Sequence, residues 1–406
     1  MRACQIRWHR RSRSERSSSR DRSLRSSGDA RRVASWASRP SCPPVIQSAG
    51  SPAFGVYVHV PFCTKRCDYC AFATWTDRSH LMDEYVDAVC IDIKRTFASH
   101  PDRVATSVFF GGGTPSLLPA GDLVRILAAI PRVDRAEVTV ECNPDTVSLA
   151  MFETYVAGGV NRISFGVQSM VPEVLESLGR THNPESVGAG VLAARAAGIA
   201  RLNLDLIYGG AGETVEQWRH TLEATITLGP DHVSAYALTV EAGTPLAEDP
   251  SRHPDDDDQA DKYLLADEML TAAGLLNYEI SNWASSGQEC LHNLLYWDQG
   301  EYFGFGCAAH AHVGGRRWWN LRTPDRYIAA VSTGDSVEAS FELLDVGTRR
   351  IEALQLALRT RGGVPVSSLS ADDRDELGPL LVERDGRLHL SLEGRLLANE
   401  VAVRLR

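Results

Sequence analysis

The stretch "VHVPFCTKRCDYCAF" (58–72) sets Cys63, Cys67 and Cys70 into one short run behind an apolar, strand-like segment. Three thiols this close cannot pair internally without leaving one over. A structural zinc site wants a fourth ligand, and the nearby His59 precedes the turn, where it packs or bonds locally. A third chemistry is an iron–sulfur cluster held by three thiolates, with one iron left open to another ligand. The Cys-x3-Cys-x2-Cys spacing favours this last reading.

Working outward, the strand-like "GVYVHV" before the cysteines is the first of six. The others are "TSVFFG", "EVTVEC", "RISFGV", "RLNLDLIYG" and "HVSAYAL". Between them lie runs with apolar residues at helical spacing, such as "LMDEYVDAVCIDIKRTFASH" and "TVEQWRHTLEATITLG". Strands alternating with helices imply an α/β fold of βα units around a parallel sheet, as a partial or complete six-stranded barrel. In such barrels the functional residues sit on loops after the strands. The cysteine loop follows the first strand and "GGGTPS" (111–116) the second. Glu141 closes the third, Gln168 the fourth, and Asp205 and Tyr236 lie in the fifth and sixth. All should converge on one mouth.

Composition supports a sizeable core: 406 residues, 43% hydrophobic and 23% charged. No apolar run approaches the roughly 20 residues that span a bilayer. Nine Cys without framework spacing suit a reducing, cytoplasmic setting. The net charge of -10 conceals an Arg/Ser-rich opening, read over 1–50 as a dispensable disordered tail, although a transit peptide or a nucleic-acid-binding arm has similar composition. The acidic remainder argues against nucleic acid as the main partner. Beyond the sixth strand, "EDPSRHPDDDDQ" reads as a solvated loop or helix start, "ADKYLLADEMLTAAGL" as an amphipathic helix and "LNYEISNWA" as a strand. An aromatic-rich region (286–344) follows. From 345 to 406 the pattern is helix, helix, a hairpin turning at Asp385-Gly386, then helix: a small winged-helix-like domain.

An open iron could be chelated by a ligand offering an amino nitrogen and a carboxylate oxygen, as the methionine end of S-adenosylmethionine does. One electron into its sulfonium would release a deoxyadenosyl radical, chemistry supplied by the cofactor. Gly112, Gly113 and Thr114 fit beside such a site, since glycine permits close backbone approach and exposed N–H groups grip charged ligands.

Together with "FFGGGTPSLL", "VECNPD", "RISFGVQS", "LGRTH" and "LDLIYG", the cysteine loop resembles the radical S-adenosylmethionine family that includes oxygen-independent coproporphyrinogen III oxidase. The likeness runs from about residue 54 to the C-terminus. It implies a partial (βα)6 radical-SAM barrel with a small C-terminal winged-helix-like domain, the barrel spanning 51–285. It also implies a [4Fe–4S] cluster on Cys63, Cys67 and Cys70. By the same resemblance, Tyr57, Gly112, Gly113, Thr114, Glu141, Gln168, Arg180 and Asp205 would contact the cofactor. Glu141 and Asp205 would suit the methionyl amino group and ribose, and Arg180 the carboxylate.

Two departures point to a subfamily. The oxidases carry a further Cys where this chain has Phe72, and "HNLLYW" (292–297) matches the motif of HemW-type haem chaperones. That likeness implies that the chain binds haem, through His292 with Cys307, His310 and His312 as rival ligands, and passes it to an acceptor protein. It also implies an electron donor for the cluster, and membrane contact only through an acceptor. Tyr296, Trp297, Tyr302, Phe303 and Phe305 would wall the porphyrin. The alternative is oxidative decarboxylation of coproporphyrinogen III. Its acidic substrate would want arginines near the mouth, but Arg162 and Arg201 start strands and should face the other end.

Overall fold

The computed structural model describes residues 53–405; the expected disordered tail lies outside the described residues. Six parallel strands, β1 (Phe54–Val60), β2 (Ala105–Gly112), β3 (Arg132–Cys142), β4 (Arg162–Gln168), β5 (Arg201–Tyr208) and β6 (His232–Ala237), stand side by side in chain order. Helices Met82–Ser99, Ala120–Ala128, Leu149–Gly158, Pro184–Ala196 and Val215–Thr227 form the connections. Several begin where a side-chain oxygen satisfies a free first-turn N–H. Ser148 accepts from Met151, Asn183 from Ser186, and Thr214 forms a reciprocal capping box with Gln217.

The six strands carry two different faces. Val56 and Val58, Val108 and Phe110, Ile163 and Phe165, and Leu202 and Leu204 turn outward and are buried against the helices. The alternating positions are polar on nearly every strand, and they line the barrel lumen. Polarity is thus not confined to the carboxyl ends of the strands but repeats every second residue down to the strand starts.

The sheet does not stop at six strands. The segment read as one strand, "LNYEISNWA", is a hairpin of β7 (Leu276–Glu279) and β8 (Asn282–Ala284), with β8 antiparallel to β6. On the other edge, β9 (Glu301–Phe305) runs parallel to β1, and β10 (His310–Val313), β11 (Arg316–Asn320) and β12 (Glu338–Leu343) continue antiparallel. Twelve strands thus form one sheet, with β12 and β7 at its edges, an open barrel. The aromatic region 286–344 is built into this sheet. Phe303 and Phe305 belong to the same hydrophobic core, at 2% exposure each.

The last segment has a core of its own around Leu358, Leu377, Leu388 and Val401. It contains helices Val346–Ala357 and Ala371–Leu377, then the hairpin of strands Leu381–Arg384 and Arg387–Leu390, then two short helices. The hairpin turns at Asp385 and Gly386, both left-handed at φ 52 and 71. Arg395 fastens it to the barrel by gripping both carboxylate oxygens of Asp267 at 2.9 Å. The acidic run is a helix start: Asp255 accepts the N–H of Asp258 at the head of helix Asp256–Ala272. Among the described residues no helix is long and apolar enough to cross a membrane.

Candidate active site: a polar lumen beneath a cysteine loop

The cysteine loop is closed on itself. A backbone bridge joins Phe62 to Trp75, and the Nε2 of His59 lies 2.8 Å from the carbonyl of Ala73. His59 therefore ties the far end of the loop back to β1, and burial lowers its pKa to about 4. Cys63, Cys67 and Cys70 are half-buried and unpaired. Burial raises the thiols of Cys63 and Cys70, and the charge of Cys67 raises both further. The three thiols thus crowd each other where charge is poorly solvated, a tension that a cationic cluster relieves.

Donors reach the sulfurs from two directions. The Thr114 hydroxyl lies 3.7 Å from the sulfur of Cys63, and the Nη1 of Arg180 lies 3.5 Å from that of Cys67. The Thr114 contact favours the thiolate of Cys63. Gly113 is pinned beneath the loop: a Cβ there would stand 2.6 Å from the Phe62 carbonyl and 3.1 Å from the Cys63 sulfur. Gly112 adopts φ +114, and a Cβ would strike the His59 ring at 2.4 Å. The glycine run is thus required by packing against β1 and the cysteine loop, whatever ligand approaches it. Among the described residues no three His, Cys, Asp or Glu side chains gather around a single ion position. A four-iron cluster asks for less convergence, since each thiolate takes a different iron. The residues fit such a cluster.

Below the loop, Glu141 accepts the backbone N–H of Gly112 at 3.1 Å. Burial, then the charge of Asp205, pushes its pKa up to about 8. Asp205 is also raised by burial, although Ser164 donates to it at 2.7 Å and Asn203 at 2.7 Å. Two buried carboxylates in one lumen suit a ligand bringing N–H and O–H donors. Tyr57 lines the same face, its hydroxyl 3.0 Å from the Nδ1 of His59. Gln168 ends β4 with φ 63, and Arg180 reaches back to the Gly166 carbonyl at 2.8 Å. Gly112, Gly113, Thr114, Glu141, Gln168 and Arg180 therefore gather at the mouth, with Asp205 and Tyr57 in the lumen below them.

His292 does not. It sits at the opposite end, on the barrel floor, with no exposed surface. Its Nδ1 is 2.9 Å from the Ser107 hydroxyl, its Nε2 is 2.8 Å from the Tyr296 hydroxyl, and its ring stacks on Phe109. Both nitrogens are engaged, so His292, expected from the sequence as a haem ligand, offers no free ring nitrogen in this arrangement. Phe303 and Phe305 are likewise core residues rather than a porphyrin wall.

The floor was not legible as a unit. Glu137 bridges to Arg201 at 3.2 Å and accepts the backbone N–H of His292 at 3.0 Å. Arg162 donates to the Gln288 carbonyl at 3.1 Å, and His232 spans Asn203 and Tyr278 at 2.6 and 2.8 Å. Strict polar alternation in "RISFGV" and "HVSAYAL" was the available signal.

Comparison with known proteins agrees with this layout. Residues 57–225 match the model of the radical SAM superfamily. The chain is 39% identical over 375 residues to heme chaperone HemW of Mycobacterium tuberculosis H37Rv, covering 88% of this chain and 96% of that one. It is 32% identical over 367 residues to heme chaperone HemW of Bacillus subtilis strain 168, covering 85% and 97%. Among solved structures, coproporphyrinogen III oxidase HemN of Escherichia coli shares the fold with a TM-score of 0.77 at 22% identity, covering 87% of this chain and 90% of that one.

Proposed function

The chain belongs to the HemW haem chaperone family of the radical SAM superfamily, and from that premise we infer that it binds haem, a [4Fe–4S] cluster and S-adenosylmethionine and passes haem to acceptor proteins. The observation that carries the reading is the extent of similarity, which covers 88% of this chain and 96% of the Mycobacterium tuberculosis relative. The placement of the arginines supports it. Arg162 and Arg201 are locked into the floor and Arg180 is turned to Cys67, so none of the three reaches out to an acidic porphyrinogen.

Cys63, Cys67 and Cys70 hold the cluster on this reading. When bound, the cluster and S-adenosylmethionine together supply one-electron chemistry. The protein's part is positional. Thr114 and Arg180 steady the thiolates, the 111–113 backbone approaches the ligand closely, and Glu141 and Asp205 accept its N–H and O–H groups. The cofactors call for a cytoplasmic, reducing setting and an electron donor, and contact with a membrane arises only through the acceptor.

The test offers reconstituted protein haem and coproporphyrinogen III in separate incubations. The expected result is a Soret band with stoichiometric haem and no protoporphyrinogen. Turnover of coproporphyrinogen III without haem binding would establish the oxidase instead.

Glu141 gives a second, sharper expectation. Its folded pKa of about 8 lies above the ordinary carboxylate value of 4.5, so the folded state holds a proton that the unfolded chain has lost. Stability without ligand should therefore fall as pH rises between those values, by about 1.4 kcal/mol per pH unit from this group. Glu141→Gln should remove that slope in urea unfolding at pH 5 and pH 8. S-adenosylmethionine should shrink it in the wild type, by donating to the ionised form. A wild-type profile no steeper than that of the variant would refute the placement of Glu141.

A further inference from the structure

We propose that His310, stacked on Trp319 beside the cysteine loop, is the residue that ligates haem iron. The proposal rests on the haem-binding reading and names its site. Of the four candidate ligands, three are sealed. His292 is engaged at both nitrogens on the floor, and Cys307 has no exposed surface and lies against the Tyr85 hydroxyl. His312 retains an unbonded Nε2 but is 3% exposed, and it pairs with Tyr302 near the start of β9, away from the mouth.

His310 differs in each respect. It is exposed, and neither ring nitrogen takes a hydrogen bond among the described residues. Its ring lies nearly parallel to that of Trp319, with centroids 5.7 Å apart and planes at 29°. The stacking orients the imidazole and leaves its nitrogens free, and the Trp319 ring extends an aromatic surface beside it for a flat macrocycle.

Topology puts this pair at the mouth. Because β9 runs parallel to β1, the loop that follows it opens at the same end as the cysteine loop. The loop packs against the end of β1: a Cβ on Gly306 would stand 2.6 Å from the carbonyl of His59, four residues before Cys63. His310 follows that loop and opens β10. A porphyrin held there would lie alongside the cluster, which places cargo and redox centre on one rim.

The test titrates haem into reconstituted wild type, His310→Ala and Trp319→Ala, recording the Soret band together with iron and sulfide content. His310→Ala should weaken haem binding about tenfold or more and alter the band while the cluster content stays the same. Added imidazole should restore the wild-type spectrum by replacing the lost donor. Trp319→Ala should weaken binding less and keep the ligation spectrum. Should His310→Ala fold poorly, diethyl pyrocarbonate modification of the wild type replaces it: His310 should react, and haem should protect it. Wild type that binds no haem would sink the chaperone reading itself. Wild type that binds haem, with an unchanged spectrum in His310→Ala or no protection of His310, would overturn this assignment alone.

Discussion

Cys67→Ser is expected to leave the chain without its cluster, iron falling from about four per chain to near zero after reconstitution. Cys67 is the middle thiol, and its charge acts on both Cys63 and Cys70. It also accepts from Arg180, the side chain that ties the loop to the β4 end at the Gly166 carbonyl. A serine hydroxyl is a poor iron ligand at neutral pH, and two remaining thiolates cannot hold a cubane against solvent. The fold should survive, because the loop is fastened independently by the Phe62–Trp75 bridge and the His59 bond to Ala73. Iron and sulfide assays beside a thermal melt separate the two effects. Full iron content in the serine variant would remove the cluster assignment.

Glu137→Ala should cost stability on the order of 3–5 kcal/mol, the usual penalty for stranding one partner of a buried ion pair. Arg201 is 3% exposed and Glu137 is fully buried. Removing the carboxylate leaves a guanidinium in the floor without its counter-charge. It also frees the His292 N–H at the start of helix Leu291–Trp297, where the same carboxylate accepts a bond. The damage should concentrate on the floor and spare the cluster loop at the other end. Urea unfolding of the apoprotein measures the loss. Glu137→Met combined with Arg201→Met should recover much of it, since both charges are then gone and the volume stays filled. A single-variant loss below about 1 kcal/mol would mean that the floor is hydrated or loosely formed.

These two sites mark what was readable at each end of the barrel. At the mouth, cysteine spacing, the glycine run and the polar residues at strand ends mark the components in the sequence itself. They were legible because a cluster loop draws its ligands from one short stretch, so the chemistry is local in sequence. The floor was not, because Glu137, Arg201 and His292 come from three distant segments. A buried glutamate on a strand also reads like a solvated one until its partner is seen. His292 shows the hazard from the other side: a motif match suggested a ligand, whereas packing against Phe109, Ser107 and Tyr296 makes it a plug.

The sequence by itself determined the six βα units, the shared mouth, the run of three cysteines and the family, since each rests on periodicity or on contiguous motifs. Tertiary structure alone decided three things. The sheet runs on to twelve strands by pairing β9 with β1 and β8 with β6, contacts that no local pattern encodes. The lumen is polar from floor to rim, because alternate residues of six strands turn inward together. And among the candidate haem ligands only His310 stays exposed, a matter of which side chains the fold happens to bury. Burial and register depend on contacts far apart in the chain, and those appear only once the sheet is assembled around them.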